Sequence, residues 1–240
     1  MTPLDKLREL HPWPAQRPTV APSERGWDGG GREIVADLIR ERQMKVVLEI
    51  GTFLGLSARK WLHCAADLAV IAIDPWISPK PHEWTESWAL KGWPEIHHKD
   101  VYELFLSSNW DYRQRLIPVR GPSPQRLQAV FDCGVKPDMI YVDGDHSYDG
   151  VMRDLTESYR LFPDAVLTGD DWKWDKEFSP PRSVREAVVD FSEARDWSVH
   201  FKQNTWVLVG SGAPCRERRQ HSSTALRFLK SFFVKKHATP

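Results

Sequence analysis

Two apolar runs in this sequence end in bare carboxylates. In DMIYVDGDHSYDGV the run Met139, Ile140, Tyr141, Val142 stops at Asp143, and Asp145, His146 and Tyr148 follow. In AVLTGDDW a second run stops at Asp170 and Asp171. Like charges gathered at two adjacent strand ends raise one another's pKa and destabilise a fold. A divalent cation removes that conflict. Carboxylate oxygens suit Mg²⁺ or Mn²⁺, with waters completing an octahedron. A substrate with two neighbouring hydroxyls then displaces two waters, and the ion acidifies one hydroxyl. Asp145, two positions past Asp143, is the candidate general base, and His146 is its rival. The plainer alternative is a set of helix caps, with Asp145 or Ser147 capping a helix near residue 150 and Asp170 opening a turn.

The elements that must position these acids are legible from periodicity. KVVLEIG, AVIAIDPW, RLIPVRG, DMIYVDG and DAVLTGD are short continuous apolar runs, the mark of strands buried on both faces. Between or after them, LSARKWLHCAADL, SPQRLQAVFDCG, GVMRDLTESYRLF and SVREAVVDFSEARD have helical periodicity, and GREIVADLIRERQ precedes the first strand. Ser183 with Glu186 predicts a capping box. WSVHF and NTWVLVG predict a closing hairpin, and residues 78–115 read as irregular with some helix. Strand then helix, repeated, means α/β: a doubly wound, mostly parallel sheet with helices on both faces. Ligands bind such sheets outside the carboxyl ends of the strands. Gly51, Asp74, Asp143 and Asp170 all stand at such ends, so they are expected to share one edge.

LEIGTFLGLSA places Gly51 after the first strand and Gly55 at the start of the next helix, whose N–H groups face a ligand. The dinucleotide pattern G-x-G-x-x-G is absent. Asp74, about 20 residues further, stands where an acid accepts hydrogen bonds from a ribose diol. A turn-forming Asp before Pro75 is the competing account.

VLEIGTFLGLSA, IAIDPW, VRGPSPQRL, IYVDGDHSYDGV and VLTGDDW resemble the motifs of class I S-adenosylmethionine-dependent methyltransferases, over roughly residues 30 to 210. The nearest branch is the metal-dependent O-methyltransferases, methyltransferase domain family 24, with catechol and macrocin O-methyltransferases among its members. The resemblance implies a Rossmann-like sheet of seven strands with a closing antiparallel strand. It implies that Glu49, Gly51 and Ser57, with Thr52 and Gly55 in the same turn, surround the methionine part of S-adenosylmethionine. Asp74 would hold the ribose, Ser123 would lie near the adenine, and Asp143 would touch both cofactor and metal. Asp143, Asp170 and Asp171 would hold Mg²⁺ or Mn²⁺, and Asp145 would be the base. The prolines around Ser123 depart from the usual loop. Asp171 stands where the catechol branch has Asn, a departure that resembles the sugar-modifying branch. The expected acceptor is a hydroxyl of a small molecule such as a sugar or natural-product glycoside. A nicotinamide-dependent oxidoreductase and a non-catalytic nucleotide-binding module are the alternatives. The missing glycine fingerprint disfavours the first, and the acid set would have no purpose in the second.

The formal net charge is +0, which gives no reason to expect a nucleic-acid partner. Cys64, Cys133 and Cys215 are scattered, with no C-x-x-C pair, which fits a reducing compartment. The N-terminus lacks a signal-peptide run, and no apolar run nears the roughly 20 residues that span a bilayer. The expectation is a cytoplasmic protein. Residues 1–30, rich in Pro and Gly, read as an arm, 31–212 as the catalytic domain, and 213–240 as a basic amphipathic tail. That tail is either a weak membrane-surface contact or a docking helix for a homo-oligomer. The Trp-rich segment 76–93 is either a lid that stacks on a sugar or an inserted packing element, and Trp172 with Trp174 is expected to wall the acceptor pocket.

Overall fold

The computed structural model describes residues 1–86, 90–173 and 183–210, with the backbone alone at 84–85. The basic tail, Trp88 and Trp174 lie outside the described residues. Strands β1 (Val46–Ile50), β2 (Ala69–Asp74), β3 (Leu116–Arg120), β4 (Met139–Val142), β5 (Val166–Gly169), β6 (Trp197–Lys202) and β7 (Thr205–Gly210) form one sheet. Its order is β3-β2-β1-β4-β5-β7-β6. Neighbours from β3 to β5 pair in parallel, and β7 runs antiparallel to both β5 and β6. The expected Rossmann-like sheet is therefore present, and the hairpin's second strand enters it between β5 and β6.

Eight helices connect or flank the strands among the described residues: α1 (Pro3–Leu10), α2 (Glu33–Glu41), α3 (Leu56–Leu62), α4 (Glu83–Glu86), α5 (Val101–Ser108), α6 (Ser123–Asp132), α7 (Tyr148–Leu161) and α8 (Val184–Glu193). Strand side chains alternate between the two sheet faces. Leu48, Ile50, Ile71, Ile140 and Val142 pack on one side with Leu127, Leu155 and Val188 of α6, α7 and α8. Val47, Val70, Met139 and Tyr141 pack on the other with Val35, Trp61 and Phe105 of α2, α3 and α5. Burial on both faces is why these strands read as unbroken apolar runs rather than alternating ones.

The chain winds one way from β1 to β2 and β3 and the other way to β4 and β5. The two halves part between β1 and β4, and the crevice outside their carboxyl ends is where such a sheet takes a ligand.

Two local expectations are revised and a third, some helix within an irregular 78–115, is borne out. The N-terminal arm carries a helix, α1, because Thr2 and Asp5 form a reciprocal capping box and Pro3 stands in the first turn. Its Leu7 is fully buried in the core, and Trp13 Nε1 donates to Leu116 O at 2.7 Å. Residues 78–115 contain α4, α5 and two 3₁₀ turns. Ser183 is the N-cap of α8, but its side chain makes no capping bond, so the predicted capping box is absent. Ser147 does cap α7, accepting from Gly150 N at 3.1 Å.

Candidate active site

One cleft of about 1230 Å³ runs along the carboxyl ends of β1, β2, β4 and β5, and it contains both groups of residues singled out in the sequence. Gly51, Thr52, Ser57, Asp74, Ser123, Asp143, Asp145, His146, Asp170 and Asp171 line it. Glu49 and Gly55 do not.

At one end, Gly51 leaves β1 with φ of 83°. A Cβ there would lie 2.0 Å from Asp143 O, so no other residue lets β1 and β4 deliver their ends this close together. The turn that follows is held by Asp74 at the end of β2. Its Oδ2 accepts from Phe53 N at 2.9 Å and its Oδ1 from Trp76 N at 2.6 Å. Burial raises the Asp74 pKa against the opposing effect of these backbone donors. Each oxygen retains a lone pair for a further donor. Thr52 contributes a second feature: its hydroxyl is buried in the cleft wall with no hydrogen-bond partner among the described residues. A carboxylate with spare acceptor capacity beside an orphaned hydroxyl fits a ligand that carries its own hydroxyls, as a nucleoside does. Beyond it, Ser123 opens α6 and donates to Asp154. Burial raises the Asp154 pKa to about 6.

Glu49 lies outside the cleft because strand alternation turns it toward α3. It is fully buried, accepting from Ser57 Oγ at 2.6 Å and Trp61 Nε1 at 2.8 Å. Its part is to fix Ser57, which does line the cleft. Burial raises its pKa from 4.5 to about 7, even against those two donors. A carboxyl raised in this way favours the fold fully below its unfolded pKa, and that contribution is lost as pH rises through the folded value. Glu49→Gln should therefore flatten the fall in stability between about pH 4.5 and pH 7. Thermal unfolding of both proteins at pH 5 and pH 8 checks this. An equal drop in Tm for variant and wild type would contradict it.

At the other end stand the acids. Asp143 follows β4, Asp170 follows β5, and Asp171 adopts φ of 65°. The sequence reading did not anticipate Arg32, which immediately precedes α2 and is 4% exposed. Its Nη2 donates to Asp170 Oδ2 at 2.6 Å and to Asp143 Oδ2 at 3.2 Å. Its Nε donates to the same Asp170 oxygen at 2.9 Å and to Tyr141 Oη at 3.2 Å. The expected trio of equivalent metal-facing acids is thus divided, because a guanidinium already neutralises Asp170. Burial and the Asp170 and Asp171 charges push Asp143 well above the usual carboxylate range, and Arg32 opposes them. Burial likewise raises Asp170 against the pull of Arg32.

His146 lies inside the cluster rather than beside it. Its Nε2 is 3.0 Å from Asp171 Oδ2 and 4.0 Å from Asp143 Oδ1. Burial works against the charged ring, but the Asp171 hydrogen bond and the surrounding carboxylates outweigh it and raise its pKa. One ligand atom from each of Asp143, His146 and Asp171 lies within 4.8 Å of the others, a donor set that fits one divalent cation. Asp145 is more exposed. Its Oδ1 accepts from Ser147 N at 2.9 Å, and Arg153 Nη2 is 3.5 Å from Oδ2. Burial alone would raise its pKa, but the Ser147 bonds and the Arg153 charge lower it.

One aromatic expectation changes, and for Trp76 the packing alternative holds. Trp172 is buried and stacks on Phe201 at 4.8 Å, with Arg185 over its ring, and does not wall the cleft. Trp76 is a core residue packed on Phe105 at 4.5 Å. The aromatic wall comes instead from the arm: Trp27 lines the cleft and packs on Trp93 at 4.1 Å and on Phe53 at 5.8 Å. The pattern GWDGGGR held the missed clue. Gly30 and Gly31 adopt φ of 83° and 92°, and a Cβ at Gly31 would meet Lys202 O at 1.8 Å. Gly30 against the Gln203 side chain and Gly31 against the β6 backbone let the chain bring Trp27, Asp28 and Arg32 to the cleft. An Arg before an amphipathic helix otherwise reads as solvated.

Residues 48–172, just over half of the chain, match the family model of a methyltransferase domain. No curated protein matches. Among solved structures, the chain is similar to the O-methyltransferase TomG of Streptomyces achromogenes, involved in tomaymycin synthesis and solved with SAM. That likeness has 20% identity and a TM-score of 0.52, covering 87% of this chain and 90% of that one. It is similar to an O-methyltransferase of Bacillus cereus in complex with SAH, at 16% identity and TM-score 0.51, covering 86% and 89%. It is also similar to MycE of the mycinamycin biosynthetic pathway, solved with Mg, SAH and mycinamycin VI. There the identity is 14% and the TM-score 0.50, over 79% of this chain and 51% of that one. At these identities the likeness is one of fold.

Proposed function

Since the chain belongs to the methyltransferase domain family, we propose that it moves the methyl group of S-adenosylmethionine to a hydroxyl of a small molecule with the help of a divalent cation. The observation that carries the reading is the single cleft that joins Asp74 and Thr52 at one end to Asp143 and Asp171 at the other. The TomG and Bacillus cereus structures hold SAM and SAH, and the MycE structure holds Mg, SAH and a natural product, which supports the same assignment. A sugar or natural-product glycoside is the acceptor class we favour. Among the described residues no helix is long and apolar enough to cross a membrane. Among the described residues Cys64 and Cys133 are unpaired, in keeping with a cytoplasmic site of action.

When bound, the sulfonium supplies an electrophilic methyl, while the cation acidifies the acceptor hydroxyl and fixes its oxygen. Asp74 would accept the ribose hydroxyls through the lone pairs left by Phe53 N and Trp76 N. The buried Thr52 hydroxyl gains its partner there. Ser57, fixed by Glu49, borders the methionine end, and Ser123 with Asp154 borders the adenine end. Asp143 and Asp171 would hold the cation. Asp145 receives the acceptor's proton on a carboxylate oxygen and passes it to water at the cleft mouth. Its lowered pKa makes it a weak base, adequate only for a hydroxyl already acidified.

Calorimetric titration of S-adenosylmethionine and S-adenosylhomocysteine into metal-stripped protein, then into protein with Mg²⁺, tests the proposal. Both cofactor and metal should bind. Cofactor binding without metal would reduce the acids to base or structural groups. No cofactor binding would remove the proposal. With an acceptor in hand, Asp145→Asn should lower kcat by about 10²- to 10⁴-fold and leave cofactor affinity unchanged.

A further inference from the structure

We infer that residues 24–29 of the N-terminal arm form a gate that the cofactor must displace to enter or leave the cleft, latched shut by Trp27 on Trp93, Arg25 on Glu95 and Asp28 on Lys60. The inference rests on the proposed cofactor site and adds to it how that site opens. The arm is tied down at both ends of this span. At one end Ser23 N donates to Ser108 Oγ at 2.9 Å, and Ser107 Oγ donates to Val20 O at 2.6 Å, both at the close of α5. At the other, Gly30 O accepts from Asn204 N at 3.2 Å and from Thr205 Oγ1 at 3.1 Å, where β6 turns into β7. The chain between these anchors crosses the cleft, and Arg25, Gly26, Trp27, Asp28 and Gly29 line it. It rests on the turn that the proposed function gives to the cofactor. Trp27 packs on Phe53 at 5.8 Å, and a Cβ at Gly26 would lie 2.7 Å from Leu56 Cβ, next to Ser57.

What holds the span between its anchors is weak by comparison. Among the described residues its backbone N–H bonds stay within the arm: Arg25 N donates to Ser23 Oγ at 3.2 Å, and Gly30 N donates to Asp28 Oδ1 at 3.0 Å. The links to the body are side-chain contacts near the surface. Trp27 meets Trp93 at 4.1 Å, Arg25 pairs with Glu95 and lies 5.9 Å from the Trp93 ring, and Lys60 Nζ is 3.3 Å from Asp28 Oδ2. Both ion pairs are well exposed, so each contributes little, and the aromatic pair contributes modestly more. A span held in this way opens locally at far lower cost than the sheet beneath it. Gly26 and Gly29 flank the latch residues Trp27 and Asp28 and supply the hinges.

Trp93, Glu95 and Lys60 do not line the cleft, so changing them loosens the latch and removes no contact with a ligand. Stopped-flow tryptophan fluorescence on the full chain reads the association and dissociation rates of S-adenosylhomocysteine. Both rates should rise together, by about three- to tenfold in the double variant Glu95→Gln, Lys60→Met and by about tenfold in Trp93→Ala, with Kd within about threefold of the wild type. The shared rise marks a gate, because a latch closed in both the free and the bound protein cancels from the affinity and remains in the rates. The surface double variant carries the test should Trp93→Ala fail to fold. Association no faster than in the wild type, whether or not dissociation speeds up, would make the arm a fixed wall and overturn the gate while leaving the cofactor site intact. No S-adenosylhomocysteine binding by the wild type would instead remove the proposed function, and the gate with it.

Discussion

Asp74→Ala is expected to weaken S-adenosylhomocysteine binding by about 100-fold or more, since charge-assisted hydrogen bonds contribute about 1.5–3 kcal/mol each and a ribose diol makes two. The same carboxylate accepts from Phe53 N and Trp76 N, and both of those residues adopt positive φ, 47° and 43°. On the proposed function, removing it would lose the ribose contact, and it also loosens the turn that carries Thr52 into the cleft. Asp74→Asn keeps one acceptor oxygen and most of the side chain's volume, so its loss should be smaller, about tenfold. Calorimetry of homocysteine-cofactor binding, with Tm recorded on the same samples, separates lost contact from lost fold. An Asp74→Ala variant that binds within about threefold of the wild type would assign this end of the cleft to something other than a ribose.

Arg32→Met should cost about 3–5 kcal/mol of stability at pH 8, the magnitude expected when one partner of a buried ion pair is removed and its charge left behind. Arg32 is 4% exposed and faces Asp170 at 3% and Asp143 at 17%, so solvent screens little of the effect. The loss depends on pH. Burial already raises both carboxylates above their unfolded values, and Arg32 is the group that restrains them. Without it the folded pKa values climb further. A raised carboxyl favours the fold below its unfolded pKa of about 3.9 and loses that contribution as pH rises through the folded value. The variant should thus fall furthest behind the wild type in neutral and alkaline solution and draw level as pH approaches about 4. Arg32→Met with Asp170→Asn removes both charges and should recover most of the deficit. Urea unfolding at pH 4.5 and pH 8 measures it. A deficit under about 1 kcal/mol at pH 8 would mean that the guanidinium does not balance these acids.

The order of elements and the shared edge of the acids were legible in the sequence because both are local properties. Continuous apolar runs mark β1, β2, β4 and β5 as strands buried on both faces, and once they are parallel their carboxyl ends share an edge. Gly51, Asp74, Asp143 and Asp170 therefore had to converge. The helix in the N-terminal arm went unread, although its signal, the capping pair Thr2 and Asp5, is equally local.

What the tertiary structure alone decided is which convergent residue meets which. Glu49 stands one position before β1 ends, and the pleat turns it under α3 to hold Ser57 rather than into the cleft. Asp170 and Asp143 look alike in sequence, yet only Asp170 receives both guanidinium donors from Arg32, 138 residues away. His146 reads as a loop histidine until the turn after β5 sets Asp171 Oδ2 3.0 Å from its ring. The partner of a buried charge is chosen by distance in space. No periodicity of 2.0 or 3.6 residues encodes it, because those periods report which face a side chain occupies and not what waits across the cleft.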